Sequence, residues 1–188
     1  MVKTLTHACV LTAHPRTIRV SVTAIDARLT YGEGKTLTLV YRLKGDMARL
    51  RIPFPQSSQR ADGLWQHTCF EVFIKTSTSP VYYEFNFSPS GEWAAYAFRG
   101  YRDDAPLDDD RLDPAISVKS ENDCLELIAV VRLNCLPAIE PEHILQLGLS
   151  AVIEENGGKL SYWALNHPLE NPDFHHPDSF AIEFALPD

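Results

Sequence analysis

The stretch that decides the fold is "CFEVFIKTSTSPVYYEFNFSPSGEWAAYAF", residues 69–98. β-Branched and aromatic residues recur in it at every second position, and "TSTSP" and "SPSG" interrupt the alternation. That pattern predicts three consecutive antiparallel strands, over 68–76, 81–88 and 92–98, joined by short turns. Side chains alternate faces along a strand. Phe70, Val72 and Ile74, then Tyr83, Phe85 and Phe87, then Ala94, Tyr96 and Phe98 are therefore assigned to a core face. The opposite face carries Cys69, Glu71 and Phe73, then Glu84, Asn86 and Ser88, then Trp93, Ala95 and Ala97.

If "TSTSP" centres the first hairpin, Glu71 falls opposite Asn86; if "SPSG" is a proline-initiated turn, Asn86 falls beside Trp93. Carboxylate, amide and indole would then form a row across three strands, with alanines leaving room beside them. Carboxylates and amides suit the vicinal hydroxyls of a sugar, and an indole stacks on its C–H face. The same row also fits an ordinary solvent-facing sheet surface with cross-strand polar pairs. A slip of one residue in either hairpin would destroy it.

The alternation extends well beyond this stretch. "TIRVSVTAI", "TLTLVYRL", "ARLRIPF", "AISVKS", "CLELIAVVRL", "LQLGLSAVI", "LSYWAL" and "SFAIEFAL" show the same period, separated by signals such as "YGEGK", "KGD" and "ENGGK". The expected fold is all-β, an antiparallel two-sheet β-sandwich of immunoglobulin-like or jelly-roll type with about eleven strands, forming a single domain over 1–188. One helical turn is expected at 139–145, opened by Pro141.

Composition narrows the function. The 188 residues are 45% hydrophobic and 22% charged, ordinary for a globular chain. Seventeen Lys and Arg against 25 Asp and Glu give a charge of −8, with no basic stripe for nucleic acid or an anionic membrane. No apolar run is long enough for a membrane helix, and the first residues are too interrupted for a signal-peptide core, so a cytoplasmic location is expected. Cys9, Cys69, Cys124 and Cys135 are scattered and are expected to be free thiols. Residues 101–114 hold six aspartates without the spacing of an EF-hand, and are expected to be a solvated acidic loop rather than a calcium site.

Two further segments supply candidate residues. Trp65 and His67 precede the first strand of the opening stretch, Trp65 either as a rim aromatic or as a core plug. "NHPLENPDFHHPDSF", residues 166–180, gathers His167, Asp173, His175 and His176, which could be metal or haem ligands, a catalytic cluster or a structured loop. Pro168, Pro172 and Pro177 favour a rigid loop between two strands. His175 and His176 are adjacent and point apart in an extended chain, so at most one joins the others. The expected role is a lip at which His167 or His175 touches a ligand.

"DGLWQHTCFEVFI", "YYEFNFSPSGEWAAYAF" and "SYWALNHPLENPDFHHPDSFAIEF" together resemble the bacterial DOMON-like domains, which are related to the family-9 carbohydrate-binding modules. The resemblance spans about residues 15–186. It implies a two-sheet sandwich whose relatives bind a sugar or a haem, and it assigns Trp65 and Glu71 to a saccharide site. For a haem it would require Met1 or Met47 opposite a histidine, or His67 with His167 or His175. Glu71 and Glu84 could also serve as a glycosidase pair, but no nucleophile elbow, P-loop or dinucleotide motif is present. The function expected is a non-catalytic small-ligand module. Its ligand, a saccharide, would meet Trp65, Glu71, Asn86 and Trp93, with Glu84, His67, His167 and His175 nearby. No metal or cofactor is assigned, haem and calcium being the alternatives.

Overall fold

The computed structural model describes residues 4–17, 21–107, 111–139 and 144–185. The described residues form twelve strands: β1 Leu5–Ala13, β2 Val22–Gly32, β3 Thr36–Gly45, β4 Cys69–Thr76, β5 Tyr82–Phe87, β6 Trp93–Gly100, β7 Asp103–Ala105, β8 Ala115–Ser120, β9 Cys124–Arg132, β10 Ile144–Glu154, β11 Leu160–Ala164 and β12 Ile182–Ala185. Among the described residues there is no α-helix. The turn expected at 139–145 falls mainly on 140–143, outside the described residues, and Ile144 already begins β10. Of the acidic segment, Asp103–Ala105 is strand β7, while 108–110 lie outside the described residues.

The expected pair of separate sheets is instead one continuous antiparallel ladder, ordered β7-β6-β5-β4-β10-β11-β1-β2-β3-β9-β8, with β12 on β10. The cause is β1. Its residues Leu5–Leu11 pair with β2, whereas Thr12 and Ala13 pair with β11, so one strand hands hydrogen bonding from one arm to the other. The arms fold over a common core: Tyr41 of β3 donates its hydroxyl to the Glu71 carbonyl of β4 at 2.7 Å, and its ring centroid lies 5.1 Å from that of Phe70. Leu39, Leu127, Phe85 and Leu147 fill the same interior.

"ARLRIPF" does not form the strand its apolar residues suggest. Asp46 caps a 3₁₀ turn at Met47–Arg49, and only Leu50 makes an isolated bridge, to Glu155. Pro53 and Pro55 follow, and each removes an amide donor that a ladder would need. Met47 packs against the core.

β10 fixes the 165–181 segment. One edge pairs with β4 along Leu145–Val152; the other is shared, with β11 on Ser150–Glu154 and β12 on Ile144–Leu147. The chain thus leaves and rejoins the same edge of β10, which presses the intervening loop over the outer face of β4 and β5. Gly148 makes room: a Cβ there would lie 2.9 Å from the Ser179 carbonyl oxygen and 3.5 Å from Phe73 Cβ. Gly148→Ala is expected to cost about 1–3 kcal/mol by overpacking a backbone contact. Gly157→Ala, whose Cβ meets nothing within 4 Å, should stay within about 0.5 kcal/mol. Urea denaturation of the two variants checks this, and equal midpoints would refute a close loop–sheet contact.

Candidate functional site

The outer face of β4 and β5 is where the polar row was expected. Glu71 pairs with Asn86, and Phe73 with Glu84. Glu71 and Glu84 are therefore diagonal neighbours on one face, a spacing at which side chains of this length interact. The β5–β6 hairpin departs from expectation. Phe87, not Asn86, pairs with Trp93, and Asn86 pairs with Ala94. Ser88 and Glu92 close the turn through an amide-to-carbonyl bond of 2.9 Å, and Gly91, at φ +94, is an extra loop residue in the left-handed region. That one residue reverses the faces of β6. Trp93, only 6% exposed, joins the main core with Ala95 and Ala97. Tyr96 and Phe98, expected inside, line the outer face.

These residues form the floor of a cleft of about 700 Å³. Glu71, Glu84 and Phe73 lie at its base; Trp65, Tyr96 and Tyr162 stand around it, with Phe98, Phe174 and His175 on the side closed by the 165–181 loop. Trp65, on a 3₁₀ turn at Leu64–Gln66 that follows the left-handed Gly63, is 51% exposed and is a rim aromatic rather than a core plug. A second apolar cluster of Phe73, Tyr82, Phe98 and Phe180, separate from the main core, supports the wall.

The carboxyl groups have little solvent. Glu71 is 2% exposed, and its Oε2 accepts a 2.9 Å bond from the Ser150 hydroxyl. Glu84 Oε1 accepts from Asn86 Nδ2 at 2.7 Å. Burial pushes Glu71 well above the usual carboxylate range and the neighbouring Glu84 adds to the rise, while the Ser150 bond opposes it. Burial likewise raises Glu84, against the Asn86 bond. Asn86 is fully buried and does not line the cleft; it positions Glu84.

The loop is held by an ion pair and a bond relay. Asp173 accepts from Arg102 Nη2 at 2.8 Å and from the Tyr101 hydroxyl at 2.7 Å. Burial works to raise the Asp173 carboxyl, but these two donors hold it below its ordinary value. The Arg102 amide donates to the Tyr82 oxygen at 3.1 Å, and Tyr82 lies 2.8 Å from His175 Nδ1. The Tyr82 oxygen has a second lone pair beside the one the Arg102 amide uses, so the Tyr82–Nδ1 bond can run in either direction. His175 Nε2 stands 3.6 Å from Glu84 Oε2. Burial, helped by Arg102, pulls His175 down to about 4, so the imidazole is neutral at neutral pH and the contact is not an ion pair.

The remaining histidines lie elsewhere. His67 Nδ1 is 2.7 Å from Glu154 Oε2, and His67 does not line the cleft. His167 Nε2 is 2.8 Å from the Thr12 carbonyl, its ring edge-to-face with His14 at 4.9 Å, where it ties the loop to β1. His176 accepts the Asp178 amide through Nδ1. The ligand trios considered for this segment are thus not assembled, and among the described residues no three His, Cys, Asp or Glu side chains gather as a metal site.

Of the residues singled out in the sequence, Glu71, Glu84, Trp65 and His175 line the cleft; Asn86 lies beneath them, and Trp93, His67 and His167 fall outside. Tyr96, Phe98, Arg102, Tyr162 and Phe174 were missed. Phe174 carried a signal, as an aromatic between prolines beside His175. Arg102 carried none, since its left-handed backbone (φ 52) is not a feature arginine advertises.

The carboxyl pair and His175 give the fold opposite pH dependences. A carboxyl raised above its unfolded value stabilises fully below that unfolded value and loses the contribution as pH rises through the folded one. A histidine lowered on folding stabilises fully above its unfolded value and loses the contribution as pH falls. The Glu71→Gln/Glu84→Gln double variant should therefore gain melting temperature relative to wild type as pH rises from about 5 to about 8. His175→Gln should gain relative to wild type as pH falls from 6.5 to about 4. Thermal melts across pH decide this, and parallel curves for wild type and double variant would sink the burial of the pair.

No protein-family model matches the chain, and no curated protein matches it. Among solved structures, a candidate carbohydrate-binding protein from Bacteroides uniformis aligns with a TM-score of 0.68 at 14% identity, over 94% of this chain and 83% of the other. A family-9 carbohydrate-binding module from Caldicellulosiruptor kristjanssonii, in complex with glucose, aligns with a TM-score of 0.59 at 11% identity, over 94% and 84%. At these identities the likeness is one of fold: the chain has the fold of a family-9 carbohydrate-binding module.

Proposed function

We propose that this chain is a non-catalytic binding module that takes a saccharide in the cleft between Trp65 and the 165–181 loop, and that it is akin to the DOMON-like domains. The observation that carries the proposal is the aromatic-walled cleft over Glu71 and Glu84, within a fold shared with a module that holds glucose. The half-exposed ring of Trp65 and the partly buried rings of Tyr96 and Tyr162 offer stacking surfaces for a sugar's C–H face, and the carboxyls offer acceptors for its hydroxyls. Glycoside hydrolysis uses two carboxyls flanking the scissile bond. Here both belong to one floor, on neighbouring strands, which favours binding over cleavage. Haem ligation by paired histidines is disfavoured because His67, His167 and His175 engage three different partners.

Isothermal titration against mono- and disaccharides tests the proposal. Trp65→Ala should weaken any hit by about tenfold or more, the size of a lost stacking anchor, while leaving the melting temperature nearly unchanged because the ring is half exposed. Glu71→Ala should weaken it as well. Binding indifferent to both substitutions, or a Soret band in freshly purified protein, would overturn the saccharide reading.

A further inference from the structure

Accepting a saccharide site, the charge of the cleft narrows its ligand. Glu71, Glu84 and Asp104 line the cleft, and the one guanidinium among its described lining residues, Arg102, is engaged with Asp173 in the loop. Neither floor carboxyl has a Lys or Arg within ion-pair distance among the described residues; their donors are a hydroxyl and an amide. Ordinarily a buried carboxylate is paired or replaced, because an uncompensated charge is costly. Here two are kept side by side, under an open cleft, beneath a ring of aromatic faces. A cation entering there would gain charge-assisted hydrogen bonds from the floor and cation–π attraction from the walls.

We infer that the cleft selects a sugar bearing a primary ammonium group, an amino sugar, whose nitrogen sits between Glu71 and Glu84. The ammonium adds a positive charge in direct contact with the pair, where the protein offers only Arg102, which acts on Glu84 from beyond ion-pair distance. Burial of both carboxyls and the charge of Glu84 beside Glu71, which push the empty pair toward its neutral form, are then offset by the ligand. An acidic sugar is disfavoured, since Arg102 is already committed to the loop.

Calorimetric titration of the full chain at neutral pH with glucosamine, N-acetylglucosamine and glucose tests this. The three share a ring, and only the first carries the charge. Glucosamine should bind tighter than either of the others by roughly tenfold or more, the gain expected when a charge-assisted hydrogen bond replaces a neutral one. In folded Glu71→Gln and Glu84→Gln variants, confirmed by thermal melts, that gap should close. A gap smaller than this, or N-acetylglucosamine equal to glucosamine, overturns the ammonium preference and leaves the saccharide site standing. A gap that survives in both variants also overturns it, because the nitrogen then sits elsewhere. If none of the three sugars nor any other saccharide binds, the saccharide reading fails, and this inference with it.

Discussion

The pairing of Glu71 with Asn86 across β4 and β5 sets both faces of the region that matters. Because side chains alternate with a period of two, that register sends Phe70, Val72, Phe85 and Phe87 into the main core and Glu71, Phe73 and Glu84 into the cleft. A slip of one residue would drive both carboxyls into an interior of leucine, phenylalanine and valine. The main core is therefore what enforces the site: the apolar face tolerates only one register, and the polar face follows.

The cleft is built against the usual preference for paired or neutral interiors. Two acids near one another, with only Ser150 and Asn86 as donors, gain little from folding, and a stability-driven sequence would replace them with apolar side chains. The surroundings show how the strain is carried. The loop above them is fixed at several points, by Asp173 to Arg102 and Tyr101, by His167 to Thr12, and by Phe180 against Phe73 and Tyr82. Local departures from the rules of stable design tend to mark function, with compensation elsewhere. The acids are the departure, and the anchored aromatic loop is the compensation.

Much of this was legible in the sequence, and what was not has definite causes. The β4–β5 hairpin could be read because "TSTSP" is a plain turn between two strongly alternating runs, and it placed Glu71 opposite Asn86. The next hairpin could not be read by the same rule. "SPSG" taken as a simple four-residue turn omits the left-handed Gly91 as an additional loop residue, and that single count moved Trp93 to the wrong face. The continuity of the sheet was illegible because it depends on Thr12 and Ala13 meeting β11 some 150 residues later, a pairing with no local signature. The prolines of 166–180 announced a rigid loop. They could not say that His175 turns inward while His167 turns to β1, since that depends on Tyr82 and Thr12 waiting at those places.

Wall and floor divide the work of recognition. Aromatic faces attract any ring with exposed C–H bonds, so in the proposed saccharide site Trp65, Tyr96 and Tyr162 would confer affinity with little discrimination. Selectivity needs buried polar groups that a wrong ligand leaves unsatisfied. The floor has them, and its hydrogen-bond donors are Ser150 to Glu71 and Asn86 to Glu84, with His175 Nε2 standing 3.6 Å from Glu84. Because the loop brings His175, bonded to Tyr82, to within 3.6 Å of Glu84, it forms part of the site itself. It sets a neutral imidazole beside Glu84, which also has the Asn86 amide, while Glu71 depends on the single Ser150 hydroxyl. The two acids are therefore unequal, with Glu71 the less satisfied and the one a ligand cation would gain most by meeting.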